Sequence, residues 1–337
     1  MSDVAARVGV SRMAASAVLM GTGAGQIRVS EETAARIRAA AEELGYRPNP
    51  AASHLAGRES GILAIVGYDF RNFMAQRVLV NLHEAAEARG LRILATRLSQ
   101  GLNTLEQLVR DVRAGWIDGL VYLAHENEAD WPVVTEVLRD TPSVVIAVGN
   151  LIAPGVVSVI SDVVPGAVAT LDHLAERGRR RPVFLFEQME TPDVQARLAA
   201  YRERGRELGM DVGDERFILE TKNWRLADPK FYGAFDDLSR RMLDRLKADC
   251  VVCDDDFNAN GMMRSFRRLG LSVPADVSVV GWGDLQFASI FDPPISTVDH
   301  ALDELMETVV SYVHGAEKSV SEHVLRVSTR LIVRESS

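Results

Sequence analysis

The sequence predicts an α-helical head joined by a short hinge to an α/β core of two doubly wound parallel-sheet lobes. Three observations support this fold class. The first part of the chain places apolar residues at helical spacing behind serines that can cap helices. A short segment with two prolines follows. From residue 61 onward, β-rich runs alternate with amphipathic helices in two successive series, which is typical of parallel sheets with crossover helices.

The head is expected to contain three helices, followed by a hinge helix. Residues 3–8 and 11–20 form a helix-turn-helix pattern in which Ser11 can cap the second helix. A third helix begins after Ser30 and ends at a glycine. The hinge helix, with Pro50 in its first position, is only about two turns long, so it needs a partner or DNA to be stable.

The core elements are predicted from their apolar runs, and ligand is expected between the lobes at the carboxyl ends of the strands. The predicted strands are Ile62–Val66, Leu91–Thr96, Ile117–Leu123, Val144–Val148, Val183–Phe186, Phe217–Leu219, Cys250–Cys253 and Val277–Val280. The expected domains are the head (residues 1–46), the hinge (47–60) and the core (61–337). Within the core, lobe 1 is expected at about 61–160 and 291–322, and lobe 2 at about 161–290 and 323–337.

Composition and charge narrow the class of protein. The chain of 337 residues is 47% apolar and 25% charged, as in globular proteins. It has no apolar run long enough to span a bilayer and no signal-peptide pattern at its start, so a cytoplasmic location is expected. The net charge is −9, but residues 1–60 carry seven arginines against six acidic residues and hence +1. A head that contacts nucleic acid is therefore compatible with an acidic core.

Cys250 and Cys253 are the only cysteines, too few for a disulfide framework. Their C-x-x-C spacing could indicate a redox or zinc site, but they fall in an apolar strand that three aspartates follow, which disfavours thiolates. Structural cysteines are predicted. The aspartates are interpreted as a strand end facing the cleft, with one of them capping the next helix, rather than as a cation site. No metal or cofactor is expected.

Two other patterns have plain interpretations. The glycines at 21, 23 and 25 follow a helix rather than a strand, so they favour a connector over a dinucleotide loop. The arginines at 177 and 179–181 favour a solvated turn over a second DNA site. The histidines show no metal spacing, and no nucleophile elbow occurs, so an enzyme is not expected.

Six motifs in a fixed order carry a resemblance to a known family. They are Asp3–Ser11 (DVAARVGVS), Val29–Thr33 (VSEET), Glu43–Asn49 (ELGYRPN), Arg197–Arg202 (RLAAYR), Gly270–Gly281 (GLSVPADVSVVG) and Asp292–Val298 (DPPISTV). Together they resemble the LacI family of bacterial repressors over essentially the whole chain. The resemblance implies a DNA-binding head and a core that binds a small effector and pairs with a second copy.

The resemblance also implies roles for residues of the head and hinge. The helix after Ser11 would enter the major groove, with Ser11, Arg12, Met13 and Ser16 as its DNA contacts. The hinge contacts would be Ala52, His54 and Leu55, with Leu55 as the wedge that kinks the minor groove. Ala14, Ala15 and Ala17 replace the Thr, Val and Arg usual in relatives, so the operator sequence cannot be borrowed from them.

In the cleft, the resemblance implies an effector site whose arginine grips hydroxyl or carboxylate groups. Its members are Phe70, Phe73, Arg197, Trp224, Asp255 and Asp284. Gly283 replaces an acid that in relatives commonly accepts hydrogen bonds from sugar hydroxyl groups. A sugar effector is therefore less strongly indicated here than for other members. The implied function is a homodimeric repressor of a pseudo-palindromic operator, modulated by an effector. The chain shows no terminal heptad segment, which favours a dimer over a tetramer. Alternatives are a regulator without an effector and a solute-binding protein, the latter opposed by the helical head.

Overall fold

The computed structural model describes residues 1–20, 29–46, 59–68, 70, 73–98, 102–124, 130–139, 141, 143–148, 151–187, 191–219, 231–314 and 324–337. In these ranges the chain forms a three-helix head and a core of two six-stranded sheets. Across the same ranges, no helix combines the length and the apolar character that crossing a bilayer requires.

The head contains helices α1 (Ser2–Val8), α2 (Arg12–Met20) and α3 (Glu31–Glu43), which confirms the three helices predicted there. They share one small apolar core centred on the fully buried Ile37. Its other buried members are Val4, Ala5, Val8, Ala15, Ala40 and Ala41. Gly9 ends α1 with φ 75°, a left-handed conformation that only glycine adopts without strain.

Lobe 1 is built on a fully parallel sheet with the order β11-β5-β4-β3-β1-β2. Its strands are β1 (Ile62–Gly67), β2 (Arg92–Arg97), β3 (Gly119–Leu123), β4 (Val144–Ala147), β5 (Val157–Asp162) and β11 (Val324–Ser328). Its helices are α4 (Phe73–Glu87), α5 (Asn103–Arg113), α6 (Trp131–Leu138) and α11 (Leu302–His314).

Lobe 2 is built on a sheet with the order β12-β10-β9-β8-β6-β7, in which only β12 is antiparallel to its neighbour. Its strands are β6 (Pro182–Phe186), β7 (Phe217–Leu219), β8 (Cys250–Cys253), β9 (Ser278–Trp282), β10 (Ser296–Asp299) and β12 (Arg330–Ile332). Its helices are α7 (Val163–Glu176), α8 (Pro192–Glu207), α9 (Phe231–Asp244) and α10 (Asp256–Arg268).

The apolar runs form buried strands because helices cover both faces of each sheet. In β1, Leu63 and Ile65 pack toward α4 and α11, while Ala64 and Val66 pack toward α5 and α6. The strand therefore contributes to two apolar clusters at once, with the period of two that a pleated strand imposes. Lobe 2 repeats this arrangement with one cluster on each side of its sheet.

The chain passes between the lobes three times, and hydrogen bonds join these crossings. The first follows Asp162, the second lies near His300, and the third is at Thr329. Thr329 Oγ1 donates to the carbonyl of Asp162 at 2.8 Å and accepts from the amide of Gly166 at 3.0 Å. Ser161 Oγ lies 3.3 Å from the carbonyl of His300. The crossings thus form one connected joint.

The crossings correct the expected lobe boundaries. Residues 291–322 were expected in lobe 1, but β10 belongs to the lobe 2 sheet. Residues 323–337 were expected in lobe 2, but β11 pairs with β5 in lobe 1. The reason is that the chain changes lobe after each of these short strands, and apolar patterns do not reveal which sheet a strand joins.

Candidate functional site

The second helix of the head begins with a side-chain cap. Ser11 Oγ accepts a hydrogen bond from the amide of Ala14 at 3.0 Å, which satisfies one free N–H of the first turn. Ser30 does the same for α3 by accepting from Thr33 at 3.3 Å. Both caps predicted from the sequence are therefore present. In α3 the cap is followed by two acids, whereas the first turn of α2 contains none.

The outer face of α2 carries the side chains predicted to contact DNA. Arg12 and Met13 are exposed, and the exposed fraction of Met13 is 67%. Ser16 is half-buried on the same helix. Because no acid lies in the first turn of α2, the amino-terminal end of this helix presents a positive potential to solvent. Such an end favours phosphate oxygens.

Ala15 faces the inside of the head and is fully buried in its apolar core. The substitution at this position therefore changes the size of a core residue and leaves the outer face of α2 unaltered. Ala14 and Ala17 are half-buried. The hinge residues Ala52, His54 and Leu55 lie outside the described residues, so their contacts with DNA stay a prediction.

Arg197 is a buried charged group beside the carboxyl ends of two lobe 2 strands. It lies on α8, with only 5% of the residue exposed. Its guanidinium carbon lies 4.3 Å from the ring centroid of Trp282 and 5.1 Å from that of Phe186. These rings end β9 and β6, so aromatic faces at two strand ends hold the cation. Arg197 Nε is buried and has no hydrogen-bond partner among the described residues.

His300 lies beside this group at the second crossing. Trp282 Nε1 donates to His300 Nε2 at 3.1 Å, so the neutral ring carries its proton on Nδ1. Burial, followed by the charge of Arg197, lowers the pKa of His300 to about 4, which keeps the ring neutral. His300 Nδ1 is buried and, like Arg197 Nε, has no partner in the described part of the chain. Two buried N–H groups near Trp282 therefore have no hydrogen-bond acceptor among the described residues.

Acidic groups line the neighbouring strand ends. Asp255 caps α10 by accepting from the amide of Asn258 at 2.6 Å, as expected for one of the three aspartates. Asp254 accepts from the Asn258 side chain at 2.9 Å and from the amide of Glu187 at 2.5 Å. Desolvation, followed by the charge of Asp254, raises the pKa of Asp255. Asp255 therefore stabilises the start of α10, directly after the end of β8.

Asp256 is fully buried beneath the cleft. Its Oδ2 accepts from the amide of Leu285 at 2.6 Å, whereas Oδ1 has no hydrogen-bond partner in the described residues. Burial raises the pKa of Asp256 to about 7. A Cβ atom at Gly281 would lie 2.2 Å from Oδ1, so only glycine permits this close approach. Asp256 ties the start of α10 to the segment after β9.

Asp284 is already engaged by the protein. Its Oδ1 accepts from Arg334 Nη2 at 2.7 Å, and its amide donates to Thr297 Oγ1 at 3.3 Å. An effector would compete with Arg334 for this carboxylate. Gly283, before it, has φ 114°, which side chains rarely adopt, and a Cβ there would lie 3.3 Å from Met74 of lobe 1. The glycine thus lets α4 approach lobe 2 closely.

Phe73 crosses the cleft, whereas Phe70 does not. The ring of Phe73, at the start of α4, lies 5.1 Å from that of Phe257 and 5.3 Å from that of Phe287, both in lobe 2. Those two rings lie 4.3 Å apart. Phe70 instead packs against the lobe 1 core. We call Phe73, Phe257 and Phe287 the aromatic bridge. Trp224 lies outside the described residues.

Arg77 joins the lobes beside the aromatic bridge. Its guanidinium donates to the carbonyls of Gly283 and, at 2.6 Å, Asp284. Its Nη2 also lies 3.5 Å from Asp299 Oδ1 at the end of β10. Arg77 belongs to α4 of lobe 1, whereas the carbonyls belong to lobe 2. The lobes therefore touch through the protein's own polar and aromatic groups.

The C-x-x-C motif and the arginine run at residues 179–181 are both part of the packing of lobe 2. Cys250 and Cys253 are buried in β8, and burial raises the pKa of both thiols. Arg179 donates to Ser278 and to the carbonyl of Ala275, while Arg181 pairs with Asp249 at 3.5 Å. These contacts hold a turn to the lobe 2 sheet. No cluster of His, Cys, Asp and Glu suited to a metal ion occurs in the described ranges.

Comparisons with known proteins match both parts of the chain. The model of the bacterial regulatory proteins of the lacI family matches residues 1–49, and that of the periplasmic binding protein-like domain matches residues 171–337. The transcriptional regulator GntR of Pseudomonas aeruginosa is 27% identical, with 100% of this chain and 95% of the relative covered. DegA of Bacillus subtilis is 24% identical, with 90% and 87% covered.

Solved structures share the fold of the whole chain. The lac repressor dimer bound to operator and the anti-inducer ONPF has a TM-score of 0.73 and 20% identity, with 99% of this chain and 97% of that chain covered. The complex of the transcriptional regulator CelR with cellobiose has a TM-score of 0.64 and 24% identity, with 100% and 99% covered. Head and core are thus matched together in order, with a lacI-family regulatory domain at residues 1–49 and a periplasmic binding protein-like domain at residues 171–337.

Proposed function

We propose that the protein is a cytoplasmic transcriptional repressor that binds a pseudo-palindromic operator as a homodimer. A small molecule, a sugar or related metabolite, binds in the cleft between the lobes and changes the affinity for the operator. The relatives are regulators, and this favours regulation over catalysis. The helical head likewise favours a regulator over a solute-binding protein of transport.

The observation that carries the proposal is the construction of α2. A serine cap starts the helix, a buried core supports its inner side, and exposed Arg12 and Met13 occupy its outer side. A helix held in this way can place two side chains against base edges in a major groove. Two copies in a dimer would reach two half-sites, as in the lac repressor dimer bound to operator.

The effector part of the proposal rests on Arg197 and His300. Both present a buried nitrogen without a hydrogen-bond partner among the described residues, and both lie against Trp282. A buried donor that lacks an acceptor costs about 1–3 kcal/mol, so oxygen atoms of a bound molecule would stabilise this site. A relative with the same fold holds cellobiose. A ligand can act only if it binds the two states of the core with different affinity.

A second candidate is a regulator of the same family without an effector. The aromatic bridge and the ion pair of Asp284 with Arg334 favour it, because the protein's own groups occupy contacts that a ligand would use. Thermal-shift measurements against sugars, nucleosides and amino acids separate the candidates. Stabilisation by one class favours the effector-regulated repressor, whereas no response to any of them favours the second candidate.

The DNA-binding proposal is tested by selecting duplexes from a random pool with the full-length protein. We expect a pseudo-palindromic sequence bound by two chains, measured by gel shift and analytical ultracentrifugation. Arg12→Ala should weaken binding of that duplex by about 10- to 100-fold, the loss typical of a base contact. Arg38→Ala is the matched control, because Arg38 is exposed on α3 and pairs with Glu31. Selection without enrichment would contradict the proposal.

A further inference from the structure

The place where the chain enters the core is held by one carboxylate. Asp118 lies in the turn before β3, and its two oxygens accept from two consecutive amides. Ser60 N donates to Oδ1 at 2.6 Å, and Gly61 N donates to Oδ2 at 2.7 Å. Hydrogen bonds from N–H groups to a carboxylate are stronger than those to a neutral acceptor. Asp118 therefore fixes the backbone of both residues at once.

Further contacts complete this turn. Ser60 Oγ accepts from the amide of Ile62 at 3.1 Å, and the amide of Asp118 donates to the carbonyl of Ile62 at 2.8 Å. Gly61 has φ 70°, the left-handed region that favours glycine. Glu59 Oε2 lies 3.6 Å from His314 Nδ1 at the end of α11. Residues 59–61 are thus attached to two separate elements of lobe 1.

The turn formed by residues 59–61 and Asp118 lies where the chain enters the lobe 1 sheet. Asp118 and Gly61 lie at the amino ends of β3 and β1, whereas the cleft lies at the carboxyl ends of the same sheet. The connection to the head therefore leaves lobe 1 on the side opposite the cleft. Residues 47–58 connect this turn to the head. The direction in which that connection begins depends on the backbone of Ser60 and Gly61, which Asp118 holds in place.

We propose that Asp118 is a positioning residue that fixes the direction in which the hinge leaves the core, and thereby the separation of the two heads on DNA. This inference rests on the proposed homodimeric operator binding. Two tethered heads bind two half-sites with an effective concentration that depends on how well the tether holds them in place. Releasing the tether lowers that concentration and leaves the contacts of each head with its half-site unaltered.

A purely structural role for Asp118 predicts a different result. β1 is a central strand that pairs with both β2 and β3, and its Leu63, Ala64, Ile65 and Val66 are fully buried. The strand is therefore held independently of the turn that precedes it. Loss of folding would reduce the active fraction, and it would weaken binding of a complete operator and of a single half-site equally.

The test compares two affinities of the full-length protein. The probes are the selected pseudo-palindromic duplex and a duplex with one half-site, and the readout is the ratio of the two affinities. We expect Asp118→Ala to lower this ratio about tenfold or more. Asp118→Asn, which keeps one acceptor oxygen, should give an intermediate loss and provides a milder variant. Asp111→Ala and Asp111→Asn are matched controls, since among the described residues the Asp111 side chain accepts a hydrogen bond from Gln107 on the surface of α5.

Amide hydrogen exchange of Ser60 and Gly61 reports the anchor itself. Both amides should exchange at least about tenfold faster in Asp118→Ala than in the wild type. Faster exchange with an unchanged affinity ratio would overturn the inference, as would equal losses for both duplexes or unchanged exchange. If the wild-type protein does not prefer the palindromic duplex over the half-site, homodimeric operator binding fails instead, and the two failures are thereby distinguished.

Discussion

The guanidinium group of Arg197 is held between two aromatic rings, and its Nε has no partner in the described residues. The side chain of His300 is held in a similar way by Trp282. Each residue is fixed by contacts that leave one buried donor available. These two buried donors are the residue-scale basis of the proposed effector site, since oxygen atoms of a bound molecule would satisfy them.

Arg197→Ala should remove the response to any small molecule that stabilises the wild-type protein. The variant loses a charged donor, and we expect its ligand affinity to fall by about 1.5–3 kcal/mol. The measurement is the shift of the melting temperature at a fixed ligand concentration. Arg202→Ala is the matched control, since Arg202 lies on the same helix and stacks on Phe217. An unchanged shift in Arg197→Ala would exclude Arg197 from the site.

Sequence reasoning named Arg197 and Asp255, which the structure places beside strand ends of lobe 2, and did not name Arg77 and His300, for a physical reason. Arg197 and Asp255 could be named because each falls in a motif or directly after an apolar run. Arg77 and His300 could not, because their partners are far apart in sequence: Arg77 reaches the carbonyl of Gly283, 206 positions away. Asp284 was also named from the sequence, but its ion pair with Arg334 cannot be read from the residues around it.

At the scale of elements, α2 depends on its cap more than α3 does. It has nine residues and no acid in its first turn, whereas α3 has thirteen and two acids there. A short helix gains little stability from propensity alone, so the hydrogen bond from Ala14 to Ser11 and the shared apolar core must hold it. The presentation of the outer face of α2 therefore depends on Ser11.

Ser11→Ala should destabilise the head by about 1 kcal/mol, because the amide of Ala14 loses its acceptor. Hydrogen exchange of the α2 amides is the suitable measurement, since the larger core would mask the effect in a global unfolding experiment. Ser11→Asn retains an acceptor and should keep most of the protection. Equal protection in the alanine variant and the wild type would show that the cap contributes nothing.

Eight strands with apolar runs were predicted from the sequence, whereas β10, which carries buried hydroxyl groups, was not. The strands from β1 to β4 and from β6 to β9 were expected within a few residues of their observed bounds. β10 was not predicted because it contains two polar residues, Ser296 and Thr297, which are buried in the structure. The amide of Ser296 donates to Ser336 Oγ in the carboxyl-terminal segment. A polar residue in a strand is unfavourable unless it has a distant partner, and local patterns do not show that partner.

At the scale of the whole molecule, the two lobes contact each other directly through side chains of both. The aromatic bridge and Arg77 lie on the same side of the joint, where α4 meets the segment after β9. Aromatic pairs of this geometry contribute about 0.5–1.5 kcal/mol each beyond the area they bury. The arrangement therefore stabilises the contact between the two lobes.

Phe73→Ala should open the core in the absence of ligand, since it removes both ring contacts across the cleft. Small-angle X-ray scattering should show a larger radius of gyration than for the wild type. Phe291→Ala is the control, because the ring of Phe291 lies 5.2 Å from that of Phe287 in a tilted arrangement and packs against an apolar cluster of lobe 2. Identical scattering of Phe73→Ala and the wild type would mean that the bridge does not hold the lobes together.

The three hydrogen-bonded crossings also restrict how one lobe can move relative to the other. Thr329 ties the first crossing to the third, and Ser161 ties the first to the second. Three linked segments resist sliding of one lobe over the other but allow a rotation about a shared axis. His300 lies at the second crossing, where its carbonyl oxygen is 3.3 Å from Ser161 Oγ, so a rotation of the lobes about the crossings would move it little. Atoms far from a pivot travel furthest for a given angle, and a displacement too small to notice beside His300 therefore becomes large at the outer ends of both lobes.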